Sequence, residues 1–434
     1  MNMNFEEVSK KIYDLNNIEV NLLQTDKFKT NTIMIFFHDD LSKDTASINA
    51  LVPAVLRRGS VLHPTFKDIS LKLQQLYGAS FDCGAAKKGD KQIIYFYIDY
   101  PYEKYVNAED GSIYRDAANL LINLVTSPVL ENGIFKNDYV MQEKDILIQL
   151  IKSRINDKMQ YAADRCFELL CDGEPYSICE YGTEESVKEI VAQNAYNKFR
   201  EIVESYPCSI YLCGRYTNEQ LDAMKEMINL FPKRRLKLVL ENQIAKPSTE
   251  CRTINEPMNV NQTKLSIGYY TQTEPSSSEY LSLVLLNSVF GGGIHSKLFQ
   301  NVREKEGLAY YAFSRIDRFK GLMVASCGID ASNTQKVINI VDKQIDDIIN
   351  GNISDYEMEA SLKSVISSLN YIKDSQFSLC DYYYSQKITG SCLPIQEFSE
   401  KIKNVSKQQV SEIAKKIKKG LIYSITPCKK EECQ

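Results

Sequence analysis

A chain of 434 residues is longer than one ordinary hydrophobic core accommodates, which points to about two to four domains. With 44% hydrophobic and 25% charged residues it has the composition of a globular protein and not of a disordered one. A formal net charge of -4 gives no bulk attraction to nucleic acid or anionic membrane, and no apolar run approaches the roughly 18 residues needed to span a bilayer.

The opening stretch, MNMNFEEVSKKIYDL, places acids and polar residues where an export signal needs an apolar centre, so a cytoplasmic location is expected. IEVNLLQT and TNTIMIFFH then read as strands. TASINALVPAVLRRG and TFKDISLKLQQLYG carry apolar residues three and four apart and read as helices. SFDCGAAKKGDKQIIYFYIDY reads as a hairpin with Lys-Gly-Asp at its turn. Long helical stretches follow, including NDYVMQEKDILIQLIKSRINDKMQYAADRCFELL, and CSIYLCG closes the half as a strand.

Residues 233–259 are polar, contain Pro247 and Pro257 and lack helical period, which marks a linker between a first domain, 1–232, and a second, 260–434. Beyond it the plan repeats. NQTKLSIGYY is a strand, SSSEYLSLVLLNSVF a helix opened by a serine cap, and SKLFQNVREKEG another helix. LAYYAFSRID and GLMVASCGID form a hairpin around residues 318–321, helices follow, and LIYSITP ends as a strand. The fold class expected is α+β: two duplicated domains, each a mainly antiparallel sheet packed with helices.

Twelve cysteines are scattered with no C-x-x-C pair, and in a chain without an export signal free buried thiols are the expected state. Nucleotide binding is disfavoured, because neither G-x-x-x-x-G-K-[ST] nor G-x-G-x-x-G occurs. Chemistry concentrates instead in FGGGIHSKLFQNVREKEGLAYYAFS. Gly291, Gly292 and Gly293 let another chain approach closely, or simply make a tight connection. His295 reads as a capping or packing residue. Gly307 reads as a helix stop, after which the chain turns into a strand with Tyr310 at its start. Arg303 and Tyr310 can thereby approach one cleft, the guanidinium offering donors to a carbonyl and the phenol donating to a developing oxyanion. The plainer alternative is a surface ion pair for Arg303 and a half-buried Tyr310.

This segment resembles the second-domain signature of the pitrilysin/insulinase family of metallopeptidases, which includes mitochondrial processing peptidase. Glycine loop, small-Lys-Leu-Phe helix, arginine, glycine stop and tyrosine occur in the family's order, and EPYSICEYGTEESVKEI is similar to its Pro-Tyr segment and Gly-Thr helix start. The resemblance implies that Arg303 and Tyr310 are paired substrate contacts and that Gly291 to Gly293 form a shortened glycine loop. It also implies what is missing. Active relatives hold zinc on an H-x-x-E-H helix, where two histidines on one face bind the metal and the glutamate activates water. Matching the Gly59-Ser60 end of TASINALVPAVLRRGS puts Ala50 and Ala54 at the histidine positions and Pro53 at the base. Glu143 is a possible remnant of the distant glutamate ligand, read here as an exposed, solvated helical acid. A centre rebuilt from His38, Asp40 and His63 is the weakest alternative.

No metal or other cofactor is therefore expected on this chain. Zinc is expected in a homologous partner subunit, this chain resembling the small bacterial non-catalytic homologues that accompany a zinc-binding sister. The function implied is a non-catalytic, substrate-binding subunit that completes a partner's active site around an unfolded peptide, as a heterodimer or possibly a homodimer, with no role for nucleic acid or membrane. The alternative is a scaffold or peptide-binding subunit, as in the core proteins of the cytochrome bc complex, with no catalytic contribution. Tyrosines in DYYYSQ either line a peptide surface or pack inside a helix.

Overall fold

The computed structural model describes residues 8–106, 108 and 112–428. In chain order its elements begin with β1 (Lys10–Leu15), β2 (Ile18–Gln24), β3 (Thr30–Asp40), α1 (Ala46–Leu56), α2 (Phe66–Gln75), β4 (Ser80–Lys88) and β5 (Lys91–Pro101). Next come α3 (Ser112–Thr126), the short pair β6 (Leu130–Glu131) and β7 (Ile134–Phe135), α4 (Asn137–Ser153), α5 (Lys158–Leu170), α6 (Glu184–Lys188), α7 (Ala192–Ser205), β8 (Cys208–Gly214) and α8 (Asn218–Ile228). The second half has β9 (Arg252–Met258), β10 (Thr263–Tyr270), α9 (Tyr280–Gly291), a π-helical segment (Phe299–Lys305), β11 (Ala309–Asp317) and β12 (Leu322–Ile329). It closes with α10 (Thr334–Ile349), α11 (Asp355–Lys373), α12 (Gln376–Thr389), α13 (Ile395–Ile402), α14 (Lys407–Ala414) and β13 (Lys418–Pro427).

Two compact units form, and they interleave along the chain. The first comprises Met1–Lys152, Ile178–Glu241 and Lys373–Ser385; the second comprises Ser153–Ser177, Asn242–Ile372 and Gln386–Gln434. The stretch expected as a linker contains strand β9, and Pro257 sits within it, paired in parallel with β13.

The sheet of the first unit runs β1-β2-β8-β3-β5-β4, antiparallel throughout except for the parallel pair β2/β8. The uninterrupted apolar run in β3 is explained by burial on both faces. Ile33, Ile35 and Phe37 join a core that includes Leu51 and Val55 of α1, Leu121 of α3 and Phe199 of α7. Phe36, on the opposite pleat, stacks on Tyr384 of α12 with ring centroids 4.0 Å apart. The Tyr384 hydroxyl lies 2.7 Å from His38 Nδ1. Phe377 of the same helix packs edge-on against Tyr95 and Tyr97 of β5. Tyr382, Tyr383 and Tyr384 are all buried, so of the two readings of DYYYSQ packing is the one realised.

The sheet of the second unit runs β11-β12-β10-β13-β9, again antiparallel apart from its β9/β13 pair. Taken strand for strand this is the order β4-β5-β3-β8-β2 of the first unit, which is the expected duplication in topological form. Leu265, Ile267 and Tyr269 of β10 face a core with α9, α10 and α14, whereas Tyr270 faces Ala163, Cys166 and Leu170 of α5. Two details differ from expectation. Helix α9 starts after Glu279 with no side-chain cap, because the serine hydroxyl of Ser277 instead accepts from the Glu279 backbone. The SKLFQNVREKEG helix winds as a π-helix over Phe299–Lys305.

Most thiols are free and buried as expected, and four depart from that pattern. Cys83, Cys166, Cys171, Cys208, Cys213, Cys327 and Cys380 are free and buried, Cys179 is free and half-buried, and Cys251 and Cys392 are free and exposed. Cys428 is disulfide-bonded. No helix among the described residues is long and apolar enough to cross a membrane.

Candidate functional site

Helix α9 ends hard against β11. A Cβ on Gly291 would fall 2.3 Å from the backbone nitrogen of Ser314, and one on Gly292 would fall 2.6 Å from Cα of Ser288. Both glycines thus serve close packing of backbone on backbone. A Cβ on Gly293 would press only on the His295 ring, at 3.2 Å, so a side chain there needs that ring to shift slightly and meets no backbone. His295 is buried, its Nε2 3.5 Å from the hydroxyl of Ser288. Burial pushes its pKa below the ordinary imidazole value. It is a packing residue, as its position in the sequence suggested.

Within the π-helical segment Val302 is buried and Arg303 points to solvent. Segments of π-helix are rare and occur often at functional sites. The Arg303 guanidinium lies 4.6 Å over the ring of Phe299, and its Nε is 3.8 Å from Glu304, too long for a hydrogen bond. Gly307, at φ +63°, then reverses the chain as the sequence implied. The strand that follows is interrupted at once. Ala309 pairs with Ile329 and Tyr311 with Gly328, so Tyr310 is the extra residue of a β-bulge on the edge strand β11. Bulges re-aim side chains, and Tyr310 is 60% exposed and not half-buried. Its phenol makes no hydrogen bond among the described residues. Both groups proposed to touch substrate are therefore exposed, on neighbouring elements of one unit.

The residues that the resemblance places at the zinc-site positions carry no metal-binding chemistry. In α1, Ala50 and Pro53 are buried and Ala54 is half-buried. None of the three has a donor for a metal or a site for a proton, and Pro53 withholds the N–H that the helix would use at Asn49. The Pro53 carbonyl accepts from the Arg57 backbone and from the Cys83 thiol. These residues do not fit zinc. Glu143 corrects the reading as a solvated acid: its side chain on α4 is only 1% exposed. Arg58, just past α1, bonds one carboxylate oxygen through Nε, and Arg57 stands 3.8 Å from the other. That second oxygen accepts no hydrogen bond. The positive charge opposite this buried carboxylate comes from guanidinium groups.

The pair Arg57-Arg58 was missed from sequence. The signal was present as two adjacent arginines at the end of α1, but Glu143 lies 85 positions beyond Arg58 and nothing local links them. The weakest alternative also dissolves. His38 contacts Tyr384, Asp40 bonds Lys91, and His63 has its pKa lowered by burial and by Lys72. Among the described residues no group of three or more His, Cys, Asp or Glu side chains converges as a metal site.

Residues 199–365 match the family model described as the peptidase M16 inactive domain. The chain is 31% identical to the probable inactive metalloprotease YmfF of Bacillus subtilis, over 94% of this chain and 95% of that protein. Two solved structures share the fold. A conserved protein from Enterococcus faecalis gives a TM-score of 0.88 at 24% identity, covering 97% of this chain and 99% of its own. A peptidase M16 inactive domain from Pseudomonas fluorescens gives 0.80 at 16% identity, covering 97% and 98%. The chain belongs to the M16 (pitrilysin/insulinase) family of metallopeptidases.

Proposed function

We propose that this chain is the substrate-gripping, non-catalytic subunit of a two-subunit M16 peptidase. A homologous partner would carry zinc and its hydrolytic water, while this chain contributes Arg303 and Tyr310. The guanidinium would hold a peptide carbonyl, and the phenol would donate a hydrogen bond to the oxygen as negative charge develops on it. Interactions that strengthen in the transition state accelerate a reaction, so a group of this kind raises turnover without performing the attack. The observation that carries the reading is the bulge at Tyr310, which exposes a phenol with no hydrogen-bond partner within the described chain.

Reconstitution tests it. The zinc-bearing homologue is assayed on an unfolded peptide alone and then with this chain added. Cleavage that needs both, with the two proteins co-migrating, is the expected result. Equal cleavage by the homologue alone would overturn the reading and leave a scaffold role.

A further inference from the structure

The residues that follow α8 in the first unit carry a feature that the substrate-binding reading does not use. Lys233, Arg234 and Arg235 stand in a row on a backbone held from both sides. From the β1/β2 turn, Asn16 accepts from the Arg234 N–H and donates to the Pro232 carbonyl, and Asn17 donates to the Arg234 carbonyl at 3.1 Å. From the other side, the Glu204 and Ser205 carbonyls at the end of α7 accept from the N–H groups of Arg235 and Lys237 at 2.9 and 2.8 Å. Arg234 is turned inward. It is 4% exposed, lies over the Phe37 ring at 5.7 Å, and donates through its terminal nitrogens to the carbonyls of Val203 and Tyr206. Its Nε has no acceptor, and no carboxylate pairs with it among the described residues. A buried cation without a counter-ion is costly, and that burial holds the Arg234 pKa below the ordinary guanidinium value.

Two open clefts meet at this row, and Lys233 and Arg235 line both. The first, about 520 Å³, also has Glu201 and Glu204 in its wall, but these acids are already paired, Glu204 with Arg200 and Glu201 with Lys198. The second, about 490 Å³, is lined by Asn17, Lys233, Arg234, Arg235 and Leu236, which is three cations and no acid. Neither Lys233 nor Arg235 has a side-chain partner among the described residues. We propose that this second cleft binds a phosphate group, as the free ion or as the monoester of a small molecule. Arg235 would offer it a forked pair of N–H groups, Lys233 an ammonium and Asn17 the amide N–H that Arg234 leaves unused. The negative charge then offsets the buried guanidinium of Arg234 behind them. A carboxylate has two oxygens, which one guanidinium satisfies. A phosphate has acceptors for both side chains and, near neutral pH, close to two negative charges to set against three cations. Backbone anchoring in advance lowers the ordering cost of binding.

The proposal is independent of the role of Arg303 and Tyr310 and fails separately from it. The test is isothermal titration calorimetry of the full chain with inorganic phosphate, near neutral pH and at constant ionic strength. Saturable binding of one phosphate per chain is expected. Lys233→Gln combined with Arg235→Gln, both at exposed positions, should weaken it at least about tenfold with an unchanged circular dichroism spectrum. Lys401→Gln combined with Lys415→Gln removes the same charge from exposed positions elsewhere and should bind as the wild type does. A sugar monophosphate that competes with the ion identifies an ester as the ligand, and one that does not compete identifies the free ion; either result supports the site. Absence of saturable binding would overturn the proposal, as would heat that chloride or acetate reproduces at matched ionic strength. So would a Lys233→Gln, Arg235→Gln chain that binds as tightly as the wild type, or an equal loss in both double variants.

Discussion

Arg58→Ala probes the ion pair that ties the end of α1 to Glu143 of α4. In the folded chain the Glu143 side chain is 1% exposed and Arg58 is 23% exposed, so the pair is largely withdrawn from water. Removing one partner of a buried ion pair costs about 3–5 kcal/mol, because the remaining charge stays desolvated. Two features reduce that figure here: Arg58 retains some solvent contact, and Arg57 remains 3.8 Å from the second carboxylate oxygen. The expected loss is about 2 kcal/mol. For a unit of this size that lowers the melting temperature by roughly 4–8 °C. Since two units can unfold separately, the readout should be local: hydrogen exchange in β3 and α4, followed with temperature or urea. Glu143→Gln on the Arg58→Ala background removes the stranded charge and should recover at least half of the loss. A loss below about 0.5 kcal/mol, or a double variant whose cost is the sum of the two single ones, would refute the argument.

Three further outcomes are expected. Gly291→Ala would normally favour a helix, but its Cβ lands 2.3 Å from the Ser314 backbone, so the variant should lose about 1–3 kcal/mol, measured by thermal unfolding. Burial lowers the His295 pKa, so the stability this neutral imidazole retains above about pH 6.5 is lost as pH falls through the ordinary imidazole range, where the unfolded chain binds the proton more readily. Urea midpoints from pH 8 to pH 5 should therefore fall more steeply for the wild type than for His295→Gln, and parallel curves would contradict this. Tyr384→Phe keeps the stack on Phe36 and removes the hydroxyl contact with His38, for a loss of about 1 kcal/mol seen as faster exchange in β3.

The sequence made the local elements legible wherever periodicity and turn chemistry agreed. The β4/β5 and β11/β12 hairpins form where they were expected, with Gly89 and Gly321 at positive φ in their turns. The missing donors at Ala50, Pro53 and Ala54 were equally plain, because absence of a ligand side chain needs no tertiary information. What the sequence hid was tertiary. Cys166 and Leu170 of α5 pack on β10 and β13, and Tyr384 of α12 packs on β3, although each pair is separated by about a hundred residues or more in the chain. An acid such as Glu143 looks solvated until the fold brings Arg58 to it. Nor does strand periodicity reveal that Tyr310 is a bulge, since the register is set by pairing with β12 and not by the strand alone.

The central claim is tested most directly by replacing Tyr310 with Phe in the mixture of this chain and its zinc-bearing homologue, and measuring turnover and KM on an unfolded peptide. A phenol that donates to the developing oxyanion predicts a fall of about a hundredfold in kcat with KM little changed. Unchanged kcat in a mixture that still assembles would contradict the account.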